Sequence, residues 1–135
     1  MERTRHKSLL LILARELATN VATPIFVVDP EGTLVYYNEP AESVLGASFA
    51  TTGELSFGEW GQRWNPEDPE GGTIEPYDLP LARAFREKRA AHSPMWITAL
   101  DGERRLISVT SVPLLGPDDE LMGAIAIFWQ SPNGA

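Results

Sequence analysis

The chain has 135 residues, 43% of them hydrophobic, enough apolar material for the core of one ordinary globular domain and with little room for a second. It contains no cysteine, which excludes disulfides, thiolate metal sites, thiol nucleophiles and any cysteine-linked chromophore, and suits a reducing cytoplasm. The formal net charge is −8, concentrated where Glu54, Glu59, Glu67, Asp68, Glu70, Glu75 and Asp78 stand against only Arg63; such a surface repels phosphate backbones, so nucleic acid is not an expected partner.

At the beginning, Arg3, Arg5 and Lys7 followed by Leu9 to Ala14 imitate a secretory signal. The apolar run is short, Arg15 and Glu16 follow at once, and no small-residue cleavage site appears, so the segment is read as a helix that stays. Ser8 is placed to cap it, it runs from about Leu9 to Val21, and Thr23-Pro24 stops it. Leu10, Leu13, Leu17 and Val21 make one stripe, which Leu9, Ile12 and Ala14 widen beyond what one sheet face would cover. That excess predicts a partner helix and makes this face the candidate dimer interface. Nothing approaches the roughly 18 consecutive apolar residues of a membrane span, so no membrane partner is expected.

Two strand-like runs come next, Pro24 to Asp29 and Leu34 to Asn38, joined by a hairpin whose tip, Pro30-Glu31-Gly32, has the residues of a tight turn. Asn38 caps a helix through Leu45, and Gly46 stands just past its end, where a left-handed residue is easily accommodated. From Ala47 to Tyr77 the chain is rich in Gly and Pro, which predicts loops and at most short helical turns. Asp78 is placed to cap a helix from Leu79 to about Arg89, with Leu81, Ala84 and Phe85 as its buried stripe and Arg86, Lys88 and Arg89 at its negative end. Three strands complete the chain, Pro94 to Leu100, Arg104 to Leu114 and Gly123 to Trp129, joined by hairpins that imply an antiparallel sheet.

The segments VVDPEGTLVYYNEPAESVLG and DGERRLISVTSVPLLGPDDELMGAIAIF, in that order, resemble the opening and closing parts of a PAS domain, and the resemblance spans about Pro24 to Gln130. It implies an α+β fold: a five-stranded antiparallel sheet with helices on one face, leaving a ligand-sized cavity between them, and a flanking helix on the other. The expected organisation is a flanking and dimerisation helix over 1–23, the PAS domain over 24–130 and a short tail over 131–135. Laid on that pattern, side-chain alternation puts Phe26, Val28, Ile97, Ile107, Val109, Ser111, Ala126 and Phe128 on the cavity face, with Phe85 opposite. Ile25, Val27, Ile125, Ile127 and Trp129 would meet the N-terminal helix. Alternation marks burial without separating a cavity from a filled core, so both readings stay open.

The resemblance also bears on cofactors. Flavin-binding light sensors of this family use a cysteine and side-chain amides on late strands; here there is no cysteine, and Ile97, Ile107 and Phe128 stand about where the amides would be, unable to bond the polar edge of the ring. Haem-binding members take an axial histidine from the long helix before the sheet, which here has none; His92 lies beyond its end and is read as a surface residue, while His6 belongs to a frayed terminus. Neither haem nor flavin is therefore expected. Trp60 and Trp64, four residues apart, form either an aromatic lid over the cavity or anchors for an irregular loop.

No phosphate-cradling glycine loop, metal-ligand spacing or Ser-His-acid arrangement is recognisable, and no residue is assigned a catalytic role. The resulting expectation is a cytoplasmic sensory module in signal transduction or transcriptional regulation, acting as a homodimer or on a separate signalling protein and tuned by a small apolar ligand. It is either a single-domain protein or an excised fragment. The alternatives are a ligand-free PAS-fold adaptor with a filled core and a small α+β enzyme, such as an isomerase with a buried carboxylate.

Overall fold

The computed structural model describes residues 2–130, with side chains from residue 11 onward. Helix α1 (Glu2–Thr19) is followed by the hairpin of β1 (Ile25–Val28) and β2 (Leu34–Tyr37), then three short helices, α2 (Glu39–Leu45), α3 (Phe49–Thr52) and α4 (Phe57–Arg63). Helix α5 (Pro80–Glu87) leads into β3 (Ala91–Thr98), β4 (Arg104–Leu115) and β5 (Leu121–Gln130). All five strands form one antiparallel sheet in the order β2-β1-β5-β4-β3, so the first and last strands of the domain meet at its centre. The expected α+β architecture is the one observed.

The hairpin closes as its sequence suggests. Asp29 Oδ1 accepts from the amides of Glu31 (2.9 Å) and Thr33 (3.0 Å), and Gly32 takes φ 87°, a conformation that costs a side-chain-bearing residue energy. Strand alternation then sorts the two faces. Phe26 and Val28 enter the main core beneath the helices, whereas Ile25 and Val27 form a second cluster with Ala18, on which Leu11, Ala14, Val21, Ile125 and Ile127 pack.

Asn38 connects these layers. Its side chain is almost wholly buried; Oδ1 accepts from Ile25 N (2.9 Å) and Ala41 N (3.2 Å), while Nδ2 donates to Ala18 O (2.8 Å) and Thr23 O (2.9 Å). It caps α2 as expected, and it also ends α1. Thr19 Oγ1 and Asn20 Nδ2 donate to the carbonyls of Arg15 and Glu16, while Leu17 O and Ala18 O also accept from the backbone amides of Asn20 (3.1 Å) and Val21 (3.5 Å), which closes the last turn. The helix therefore stops at Thr19 rather than Val21, before Pro24 can act, and it begins well ahead of Ser8, which lies inside it.

Other boundaries also differ from expectation. Asp78 is consumed by a 3₁₀ turn, Pro76–Asp78, closed by Leu79 N to Pro76 O (3.2 Å), so Leu79 rather than Asp78 precedes α5. Helix α5 ends at Glu87 with Lys88 left-handed (φ 54°), and β3 starts at Ala91, three residues before Pro94. Pro94 is tolerated because its nitrogen falls at an outward-facing position of an edge strand. Two and four residues on, Trp96 N and Thr98 N bond Glu67 O (2.8 Å) and Trp64 O (2.8 Å). The Gly/Pro-rich segment is thus stitched along the β3 edge, and it holds two regular turns of helix in α4, closed by a Ser56–Glu59 capping box.

Gly46 is required where α2 meets the β3–β4 hairpin. At φ 84° a Cβ there would lie 2.6 Å from Asp101 N and 2.7 Å from Leu100 N, and Leu100 N donates to Leu45 O (2.9 Å).

Candidate functional site

Between the sheet and α2, α4 and α5 lies a cavity of about 90 Å³. Of the expected cavity-face residues, Phe26, Ile97, Ile107, Val109, Ala126 and Phe128 line it. Val28, Ser111 and Phe85 do not. Val28 is fully buried in the core, paired with Leu34 and Ala124 farther along β1. Ser111 lies across β4 between Ala91 and Ala126, fully buried, and its Oγ has no hydrogen-bonding partner. Phe85 lines an outer groove instead, because Pro80, Leu81, Ala82 and Ala84 are the buried positions of α5.

Met95, two residues before Ile97 on the same face of β3, joins the sheet residues of the lining. The cover is what alternation could not reveal: Leu45, Trp60, Trp64, Leu79 and Leu81, with Gly61, Pro66 and Pro80. Both tryptophans are buried; Trp60 Nε1 donates to Gly32 O (2.8 Å) and Trp64 Nε1 to Leu45 O (3.0 Å). Each ring packs edge-on against Phe26, at 5.5 and 6.1 Å between centroids. They anchor their segment and roof the cavity together, so the two readings of this pair coincide. Their spacing of four residues was the available signal. With both indole N–H groups committed, the lining offers no free donor or charge, and it can recognise only shape and apolar surface.

The shifted titrations serve structure. Burial raises the Tyr37 pKa, its hydroxyl lying 2.8 Å from Ala47 O and 2.9 Å from Thr52 Oγ1. The Ser56 backbone amide lowers Glu59, and the Arg105 guanidinium lowers Asp101 through a bidentate pair at 3.0 and 3.1 Å. None of the three lines the cavity. Among the described residues no group of three or more His, Asp or Glu side chains is arranged to hold a metal ion.

The second candidate surface is the outside of α1. Ile12, Leu13 and Leu17 are 55%, 56% and 58% exposed, and Leu13 and Leu17 border a shallow groove of about 200 Å³ with Ile25, Leu114 and Ile125. Val21 does not belong to this face; it packs inward on the Ala18–Val27 cluster beyond the helix end. Leu9, Leu10 and His6 lie outside the described side chains. Trp129, expected under α1, is exposed, its ring tilted 32° to that of His92 at 6.2 Å between centroids, and His92 Nδ1 lies 2.8 Å from Thr110 Oγ1. Among the described residues, helix α1 packs on β1, β2 and β5. No described helix is long and apolar enough to cross a membrane.

Residues 18–130 match the family model described as the PAS fold. No curated protein matches the sequence. Among solved structures, the chain resembles the PAS domain of the fruit-fly ELK potassium channel (11% identity, 89% of this chain and 95% of that one, TM-score 0.69). It also resembles the PAS domain of nitrogen regulation protein NR(II) from Vibrio parahaemolyticus (16% identity, 88% and 98%, TM-score 0.61). A third likeness is to the LOV protein of Rhodobacter sphaeroides (15% identity, 86% and 64%, TM-score 0.66).

The void makes a directional prediction. Val109→Ile adds one methyl at its wall and should stabilise the protein by about 0.5–1 kcal/mol in urea unfolding. A tightly packed site would instead lose about 1–3 kcal/mol to overcrowding, and a loss of that size contradicts the cavity.

Proposed function

The chain belongs to the PAS-fold family, and from that premise we propose that it is a sensory or regulatory module that self-associates through the outer face of α1 and is tuned by a small apolar ligand in the inner cavity. The fold is found in sensory and signalling proteins. The observation that carries the self-association is the trio Ile12, Leu13 and Leu17, more than half exposed on a helix whose other side already has its sheet partner. Three large aliphatic groups beside an apolar groove mark an interaction surface more than a solvated one. A second copy of the chain, or a separate signalling protein, is the partner of this reading, and the acidic surface argues against nucleic acid.

No enzymatic activity is assigned, since the cavity has no side chain able to transfer a proton or attack a substrate. Neither haem nor flavin is assigned. The space is far below the 300–1,000 Å³ of typical ligand sites, and His92 lies on the opposite face of the sheet, bonded to Thr110. A cytoplasmic location, in keeping with a chain free of cysteine, belongs to the same reading. The small volume favours one rival, a ligand-free adaptor of the same fold; native mass spectrometry and solvent extraction of the purified protein separate the two.

Light scattering at tens of micromolar should give a dimer, because an interface with Kd near 1 μM, about 8 kcal/mol, is mostly formed there. Leu17→Glu should give a folded monomer whose melting temperature falls by no more than the lost association accounts for, since the side chain is exposed in the single chain. A monomeric parent protein removes the self-association. The visible spectrum after gel filtration should be flat, and a Soret band or a flavin peak in the blue would overturn the cofactor assignment.

A further inference from the structure

A second depression of about 300 Å³ lies outside the cavity wall, bounded by the hairpin tip Pro30–Gly32, Phe57, Tyr77 and Phe85. The two spaces share two lining residues, Trp60 and Leu81, which therefore stand between them. The two partners in that wall are not equivalent. Trp60 is held by its bond to Gly32 O and by Phe26 and Phe57, whereas Leu81 is an aliphatic side chain in the first turn of α5 with no polar tie. A rotamer change at Leu81 is therefore the least costly way to join the spaces, and their combined volume falls in the range of ordinary ligand sites.

The charged side chains lining the groove are Glu31 and Arg86. Arg86 stands five residues after Leu81, about 7–8 Å farther along the helix. Its Nη1 donates to Tyr77 O and its guanidinium lies 5.7 Å from the centre of the Tyr77 ring; among the described residues its remaining N–H groups have no further acceptor. The inner cavity cannot accept a polar group, so any ligand reaching into it must leave its polar end outside, within reach of this cation.

We propose that Leu81 is the gate of a two-part site that takes an amphipathic monoanion, its apolar chain passing beside Leu81 into the inner cavity and its carboxylate resting on Arg86. The inference rests on the ligand-tuned reading of the cavity and names the class of ligand and its route. The point of access is then the α4–α5 wall, where Trp60 and Leu81 stand. Glu31 weakens the attraction for the anion, which makes it a second handle on the same subsite.

The test is an amide NMR titration with sodium decanoate and with 1-decanol, whose chains match and whose head groups differ. Decanoate should bind about three- to five-fold more tightly than decanol, the range of a partly exposed charge pair. Arg86→Gln should bring decanoate down to the decanol level and leave decanol unchanged, while Glu31→Gln, in an exposed turn, should strengthen decanoate alone. Leu81→Trp should block both. Equal affinities in the parent protein and in both charge variants, with shifts at Val109 and Phe128, overturn the anion subsite and leave the cavity reading standing. If both probes bind with those shifts and Leu81→Trp blocks neither, the gate is wrong. If neither probe moves the Val109 and Phe128 amides, the inference and the ligand-tuned reading fall together.

Discussion

The buried amide of Asn38 is the constraint on which the rest of the molecule depends. One side chain satisfies the first amide of the interior strand β1, an orphan amide at the start of α2, a last-turn carbonyl of α1 and the carbonyl of Thr23 between them. An amide has two donor hydrogens and a two-lone-pair acceptor, so all four valences are used. Neither Asp nor Leu, though close in size, could do this. Since α1, β1 and α2 meet at this point, the positions of the flanking helix and of the cavity roof are set by the same group.

That junction imposes a division of labour between the two faces of the sheet. On the inner face, small residues at the centre (Ala124, Ala126) lie below large ones from the helices, and the packing stops short of filling the space between Phe128 and Trp64. On the outer face, α1 is narrow at its contact. Ala14 and Ala18 let it lie close to β1 and β5, and Gly123 helps, since a Cβ there would meet Val28 O at 2.6 Å and Leu11 Cδ2 at 3.2 Å. A helix seated on its small residues turns its large ones outward, which is why Ile12, Leu13 and Leu17 are left over. The edge of the sheet is managed separately: the Glu67 ladder covers β3, and Arg104 both pairs with Glu67 (3.0 Å) and lies 4.1 Å above the Trp96 ring.

The strands and their faces were legible because alternation of period two reports burial directly, and the hairpin turns carry residues with few other uses. Boundaries set by distant partners were not. The end of α1 depends on a side chain twenty residues away, and the start of α5 on a 3₁₀ turn that takes Asp78 out of the capping position. Six of the nine expected cavity residues line the space, all of them on the sheet; Val28 and Ser111 share that alternation but lie outside the lining, and Phe85 misses it because helical spacing defines a stripe but not which neighbour the stripe meets. Of the roof, only the four-residue spacing of Trp60 and Trp64 was legible. Trp60 and Trp64 lie in a Gly/Pro-rich stretch whose order comes from tertiary bonds to Gly32, Leu45 and β3, none of which a local pattern reports. The apolar stripe expected at a dimer interface divided in the same way, Leu13 and Leu17 facing out and Val21 turning in once the helix had ended.

Equilibrium urea unfolding of Asn38→Ala tests the junction most directly. Truncation leaves two amides and two carbonyls without their partner, each worth about 1–3 kcal/mol when buried, and partial relaxation should bring the net loss to about 3–5 kcal/mol. That is a large part of the 5–15 kcal/mol typical of a native domain, so the variant should be marginally folded. A loss below about 1 kcal/mol, with the unfolding slope unchanged, would mean that α1, β1 and α2 are held together without this side chain, and would contradict the account.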